Sequence, residues 1–288
     1  MTTLYKNAQV ILPTGIFPGE VLVDGRRIAE VALHRTIPVV TDRIIDVKGA
    51  YLSPGFIDTH THGAGGYDFM QGLDSIYGAA KAHMAHGTTT LLPTTTTGSK
   101  QDLLDYVELF NQVDPEKPGC PSIPGLHLEG PYFAASQAGA QNPAYLRNPE
   151  PEEYEEVMQR TDRIRRWSFA IELPGSERFL NRLREEGIIS SLAHSDATCE
   201  EVMRAYDNGL ACLTHFYSCM ATVRRVHAYR VAGAIEAGYL LDDLYVEAIA
   251  DGCHLPAELL RLIYKIKGPD RICLVTDSMS AAGMPDGP

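Results

Sequence analysis

The chain has 288 residues, 44% apolar and 22% charged, which places it among ordinary globular proteins rather than disordered or fibrous ones. Its formal net charge of -12 disfavours nucleic acid or anionic lipid held by electrostatics alone, but not a local pocket for a small anion. No run approaches the roughly 20 apolar residues of a membrane helix, the start MTTLYKNAQV has no leader pattern, and six scattered cysteines read as reduced thiols, so a soluble cytoplasmic chain is expected.

Residues 1–52 read as the N-terminal part of a small, sandwich-like β domain. Short β-rich runs at Ala8–Ile11, Val21–Val23 and Arg43–Val47 are separated by turn signals at Pro13-Thr14-Gly15 and Asp24-Gly25. From residue 53 to 288 the rhythm becomes strand, loop, helix, repeated. Strands are predicted at Leu52–Thr59, Thr88–Thr94, Ser122–Leu128, Trp167–Leu173, Ile188–Ala193, Ala211–Thr214, Leu244–Ala250 and Ile272–Thr276. Ser99-x-x-Asp102 and Thr198-x-x-Glu201 are capping boxes that open helices. Gly87, Gly187, Gly209 and Gly268 sit where helices end, and Pro256 suits a first helical position. Eight strands alternating with helices predict an α/β fold, a (β/α)8 TIM-type barrel. The chain stops directly after the eighth strand, so the barrel is expected to be incomplete at its C-terminus.

In such a barrel, functional groups come from the C-terminal ends of the strands. Those ends carry Asp58-Thr59-His60-Thr61-His62, His127-Leu128-Glu129-Gly130-Pro131, His194-Ser195-Asp196, Thr214-His215, Asp251-Gly252-Cys253-His254 and Thr276-Asp277. Residues i and i+2 of a strand share a face, so His60 and His62 can point together into the mouth. Four imidazoles and a carboxylate converging there suit zinc first, with iron or manganese as alternatives. Asp277 then fits a general base that takes a proton from water and returns it to a leaving amine. Taken singly, each residue has an ordinary structural explanation, such as a core histidine or a helix cap. Their joint placement on successive strand ends favours a metal. His34, His83 and His86 read as packing or solvation, and Glu152, Glu153, Glu155 and Glu156 as a solvated helix face.

At PGFIDTHTHG (54–63), GLHLEGPY (125–132), LAHSDAT (192–198), THFYSCM (214–220), IADGCH (249–254) and LVTDSMSAAG (274–283), the chain resembles the N-acetylglucosamine-6-phosphate deacetylase family of the amidohydrolase superfamily. The resemblance implies hydrolysis of the acetamide of N-acetylglucosamine-6-phosphate by a cytoplasmic homodimer carrying one or two divalent ions. Glu129, His194 and His215 are implied as ligands of the catalytic ion, and His60 and His62, with Glu129 bridging, as ligands of a second. Asp277 is implied as the acid/base, His254 as a phosphate contact, and Gln141 as a donor to the substrate carbonyl. Two positions depart from the family pattern. Ser218-Cys219 replaces the Asn-Ala whose backbone amides meet the phosphate, and of the loop arginines Arg225 is favoured over Arg224. The alternatives are a deacetylase of another N-acetyl amino sugar, such as N-acetylgalactosamine-6-phosphate, and a non-catalytic protein that binds metal or sugar phosphate.

Overall fold

A computed structural model describes residues 1–285 and 287. The chain divides into two compact units, Met1–Gly55 and the remainder from Phe56.

In the first unit, strand Thr2–Leu12 is central. It pairs antiparallel with Gly15–Asp24, which pairs antiparallel with Arg27–Leu33, and parallel with Arg43–Asp46 and Tyr51–Leu52. Apolar residues cluster in two sets, Ala8, Val10 and Val21 in one and Leu4, Ala32 and Ile37 in the other. Leu52 was expected to open the first barrel strand, but it pairs with Val10 here. Pro54-Gly55 separates it from the strand that follows.

The second unit is a ring of eight parallel strands: Phe56–Thr61, Thr88–Pro93, Leu126–Glu129, Ile164–Phe169, Ile189–Leu192, Cys212–Leu213, Tyr245–Ile249 and Ile272–Val275. The third to eighth form a continuous parallel sheet. The first and second pair with each other, and parallel bridges from Thr90 to Ser122 and Thr94 to His127 join the second to the third. The ring closes where the Asp277 amide donates to the His60 carbonyl at 2.9 Å.

Period-two alternation sorts the strand residues. Leu126, Leu128, Trp167, Phe169, Leu192, Leu213, Val246 and Ala248 join the large core shared with the helices. Between them stand His127, Arg166, Ser168, Ser191, Thr214 and Glu247, all buried and bonded to one another in the barrel interior, and Glu129, buried and bonded to His215. A polar interior survives only when its groups are paired, and here the pairing is dense.

Seven α-helices pack outside among the described residues. Ser99 and Thr198 make the expected capping boxes. Gly87, Gly187, Gly209 and Gly268 all take positive φ just past helix ends, as expected of terminating glycines. Local expectations shift at three further places, the first being the third strand, which begins at Leu126 rather than Ser122. The fourth strand runs Ile164–Phe169 rather than from Trp167, because Arg166 turns inward to a buried partner. Pro256 is the N-cap of Ala257–Lys267, one position earlier than expected.

Candidate active site

Glu129 ends the third strand and sits at the centre of the barrel mouth, buried. Its Oε1 lies 3.4 Å from His60 Nε2, 3.1 Å from His215 Nε2 and 3.7 Å from His194 Nε2. Its Oε2 lies 3.4 Å from His62 Nε2. Two triads able to hold a metal therefore share this carboxylate: His60, His62 and Glu129, and Glu129, His194 and His215. Asp277 Oδ1 is 3.3 Å from His60 Nε2 and 3.2 Å from His62 Nε2.

The two histidine pairs are delivered differently. His60 lies on an extended strand and His62 just past its end. His194 and His215 follow their strands in left-handed backbone, at φ 46° and 32°, and Asp277 does the same at 47°. Non-glycine residues pay for that conformation, and such strain concentrates at functional sites. Gly130, at φ 80°, turns the chain directly after Glu129. A Cβ there would meet Thr97 Oγ1 and the Phe133 ring at 2.7 Å, so glycine is required. Trp167 secures this turn by donating from Nε1 to the Gly130 carbonyl at 2.9 Å.

The hydrogen-bond partners orient the rings. His194 Nδ1 meets the Gln137 carbonyl at 2.7 Å, and His60 Nδ1 meets Glu247 Oε2 at 3.0 Å. Both partners accept, so Nδ1 carries the proton and Nε2 is left with a lone pair aimed into the cluster. His60 Nε2 is buried without a hydrogen-bond partner. Burial disfavours charge on His60, yet the carboxylates of Asp277, Glu247 and Glu129 drive its affinity for a proton well above the usual histidine range. The same contest lifts His62 to about 9 and His194 to about 10. Burial works against ionised Glu129, but the surrounding imidazoles, His60 first, hold it well below the carboxylate range. A cluster that draws in positive charge this strongly, with a buried lone pair left over, fits a divalent cation.

The other predicted residues fall at graded distances from this centre. Gln141 is buried, donates from Nε2 to Glu129 Oε2 at 2.8 Å and accepts from the Thr97 amide. Ser218 Oγ is hydrogen-bonded to His254 Nε2 at the exposed rim. Asp251 holds the His254 amide at 2.7 Å. The Ser218 amide is itself occupied, donating to the His215 carbonyl at 2.8 Å. The Cys219 thiol packs beside His194, close enough that a Cβ on Gly139 would lie 2.5 Å from its Sγ. Arg225 is not brought to the cluster: it lies on an exposed hairpin, Arg224–Val226 with Tyr229–Val231, and bonds the His227 carbonyl of that hairpin. Its neighbour Arg224 reaches the rim instead, 3.9 Å from Asp196.

Several functional neighbours escaped the sequence reading. Glu247 and Arg166 form a fully buried ion pair beneath the histidines. A charged residue inside an otherwise apolar strand was the available signal. Asp196 receives the side chains of Ser136 and Gln137 and so ties down the loop that holds His194. Glu153, expected on a solvated helix face, is buried and takes the Arg147 guanidinium and the Tyr132 hydroxyl, because the loop at 145–147 folds over it. His83 is buried as expected of a packing residue, and Thr61 Oγ1 lies 2.8 Å from its Nε2.

The Amidohydrolase family's sequence profile matches residues 51–285. The chain belongs to this family. It is 34% identical over 270 residues to an N-acetylglucosamine-6-phosphate deacetylase of Lysinibacillus sphaericus, covering 92% of this chain and 67% of that protein. It is equally 34% identical to an N-acetylgalactosamine-6-phosphate deacetylase of Escherichia coli O157:H7, covering 91% of this chain and 68% of the relative. A solved structure of a mutant N-acetyl-D-glucosamine-6-phosphate deacetylase from Mycobacterium smegmatis, in complex with N-acetyl-D-glucosamine-6-phosphate, superposes with a TM-score of 0.88 at 31% identity, over 99% of this chain and 73% of that one. The chain thus spans about two thirds of the length of these curated relatives. Within the family it groups with the N-acetylglucosamine-6-phosphate deacetylases.

Proposed function

We propose that this chain carries the catalytic centre for hydrolysing the acetamide of N-acetylglucosamine-6-phosphate to acetate and the amino-sugar phosphate. The observation that carries this reading is the shared carboxylate: Glu129 stands between two histidine pairs, with Asp277 3.2 Å from the His62 ring. In this reading His60, His62 and Glu129 hold one divalent ion and Glu129, His194 and His215 another, zinc first by ligand chemistry, iron or manganese next. When bound, such ions ionise water near neutral pH and polarise the amide carbonyl.

The protein's own groups do the rest. In the metal-free site burial would raise the Asp277 carboxyl, but the His60 charge and the His62 hydrogen bond keep it below its usual value. Ions bound in place of those protons would supply the same positive charge and keep it an ionised base at neutral pH. It takes the proton of the attacking water. As the carbon–nitrogen bond breaks, it returns that proton to the leaving amine. Gln141, already facing Glu129, borders the space where the substrate carbonyl would lie and is assigned as its donor. His254 and Ser218 on the rim, with Arg224 or Arg225 from the hairpin, are assigned to the phosphate.

A cytoplasmic setting accords with six free cysteines, and no helix among the described residues is long and apolar enough to cross a membrane. A second copy of the chain is the proposed partner, supported by the exposed apolar side chains Val223, Val226 and Tyr229 on and beside the hairpin.

Acetate release from N-acetylglucosamine-6-phosphate by the metal-loaded protein tests the reading, with the galactosamine isomer run in parallel. A kcat/KM that favours the glucosamine substrate is expected. No acetate from either sugar, with metal bound, would sink the proposal.

A further inference from the structure

Glu247 stands mid-way along the seventh strand, fully buried, on the inner face of the barrel. One carboxylate oxygen, Oε2, accepts from His60 Nδ1 at 3.0 Å and from the His215 amide at 2.9 Å. The other oxygen takes the Arg166 guanidinium. Arg166 is itself held by Ser191 Oγ at 2.8 Å and Thr214 Oγ1 at 2.9 Å, so the carboxylate has little freedom to move.

The consequence for the two histidine pairs is unequal. Glu247 grips the His60 ring directly, and that grip decides which nitrogen faces Glu129 and Asp277. It touches His215 only through the backbone, and His194 takes its orientation from the Gln137 carbonyl instead. The His62 and His215 rings have no comparable support: their Nδ1 atoms are buried without partners. Partners that fix a ligating ring typically govern metal affinity by about 10–100-fold.

We infer that Glu247 is the positioning residue of the His60–His62 half of the site: it locks the His60 ring so that Nε2 faces a divalent cation, and thereby sets that half's affinity for the ion. The inference rests on the two-ion reading above. A competing role is that Glu247 only neutralises Arg166, and the two roles predict different outcomes when both charges are removed together.

The test is a cobalt(II) titration of the metal-stripped protein, followed by visible absorption, with elemental analysis of the zinc-loaded form. The wild type is expected to bind in two steps, one of them abolished by His60→Asn. In E247Q that same step weakens about 10–100-fold while the other moves by less than about threefold. The pair H60N/E247Q binds no more weakly than H60N alone, since Glu247 acts through His60. The double variant R166M/E247Q, which leaves no unpaired charge, keeps the weakened step. It also serves if E247Q fails to fold. Restoration of both steps in R166M/E247Q, or a titration of E247Q that overlays the wild type, overturns the assignment. Failure of the two-ion reading would show in the wild type alone, as a single step insensitive to His60→Asn, and would take this assignment with it.

Discussion

The two halves of the histidine cluster present the same atoms to Glu129 by opposite means. His60 is set by an extended strand and a buried carboxylate, whereas His194 and His215 hang from strand exits in left-handed backbone. The first half is held by side-chain chemistry laid along the barrel interior. The second is held by loop conformation, with the Gln137 carbonyl fixing the His194 ring. Similar ligand geometry can thus rest on a rigid element or on a strained turn, and the supports respond to different perturbations.

Replacing a ligand in each half should separate them most widely. His194→Ala is expected to lower acetate release by more than about 10⁴-fold and to reduce bound metal, since free water gives up its proton far less readily than metal-bound water. His60→Asn should cost less, and full metal retention in His194→Ala would remove that residue from the ligand set. Asp277→Asn, which touches only the His60–His62 half, should lower kcat by about 10²–10⁴-fold and leave metal content intact. Unchanged turnover would exclude Asp277 from proton transfer.

Acidity probes both halves together. Burial opposes protonation of His62 and His194, but hydrogen bonds that protonated His62 donates to Asp277 and Glu129, and protonated His194 to Cys219 and Glu129, lift them to about 9 and about 10. A folded-state value above the unfolded one, near 6.5, contributes stability that is complete below that pH and is lost as pH rises through the folded value. The metal-stripped protein should therefore lose Tm between about pH 7 and 10, while metal uptake, which expels those protons, tightens over the same window. A flat Tm with pH-independent metal affinity would contradict the arrangement.

Because both halves share Glu129, a change in its support should weaken them alike. Gly130→Ala is expected to cost about 1–3 kcal/mol, read as a drop in Tm, from the positive φ and the clash with Thr97 and Phe133. The smallest effect belongs to the hairpin. Arg224→Ala removes an exposed ion pair to Asp196 at 3.9 Å, worth at most about 1 kcal/mol, so KM for the phosphorylated substrate should rise no more than about fivefold. Arg225→Ala should move it less, and the reverse order would make Arg225 rather than Arg224 the phosphate contact.

Much of this was legible in the chain. Alternating patterns and capping boxes located the helices and strands within a few residues. The largest shifts are the fourth strand, expected at 167–173 and found at Ile164–Phe169 because Arg166 faces a polar interior, and the starts of the first and third strands, found at Phe56 and Leu126 rather than at Leu52 and Ser122. The His60-x-His62 spacing placed both imidazoles on one side of a strand, and Glu129, His194, His215 and Asp277 each stood at a strand end. Glu129 as the carboxylate between the pairs came from the family resemblance rather than from any local pattern, and that Glu153 would be buried by a loop was not legible at all.

The amino-acid sequence by itself determined the repeating strand–helix order and the identity of the groups at the mouth, since both follow from local periodicity and turn chemistry. Only the tertiary structure decided that Glu247 meets His60 across 187 residues of chain, that Gln137 anchors His194, and that Arg224 rather than Arg225 reaches the rim. Ring closure brings the seventh strand's inner face against the first, and no local pattern encodes which buried charges will then find one another.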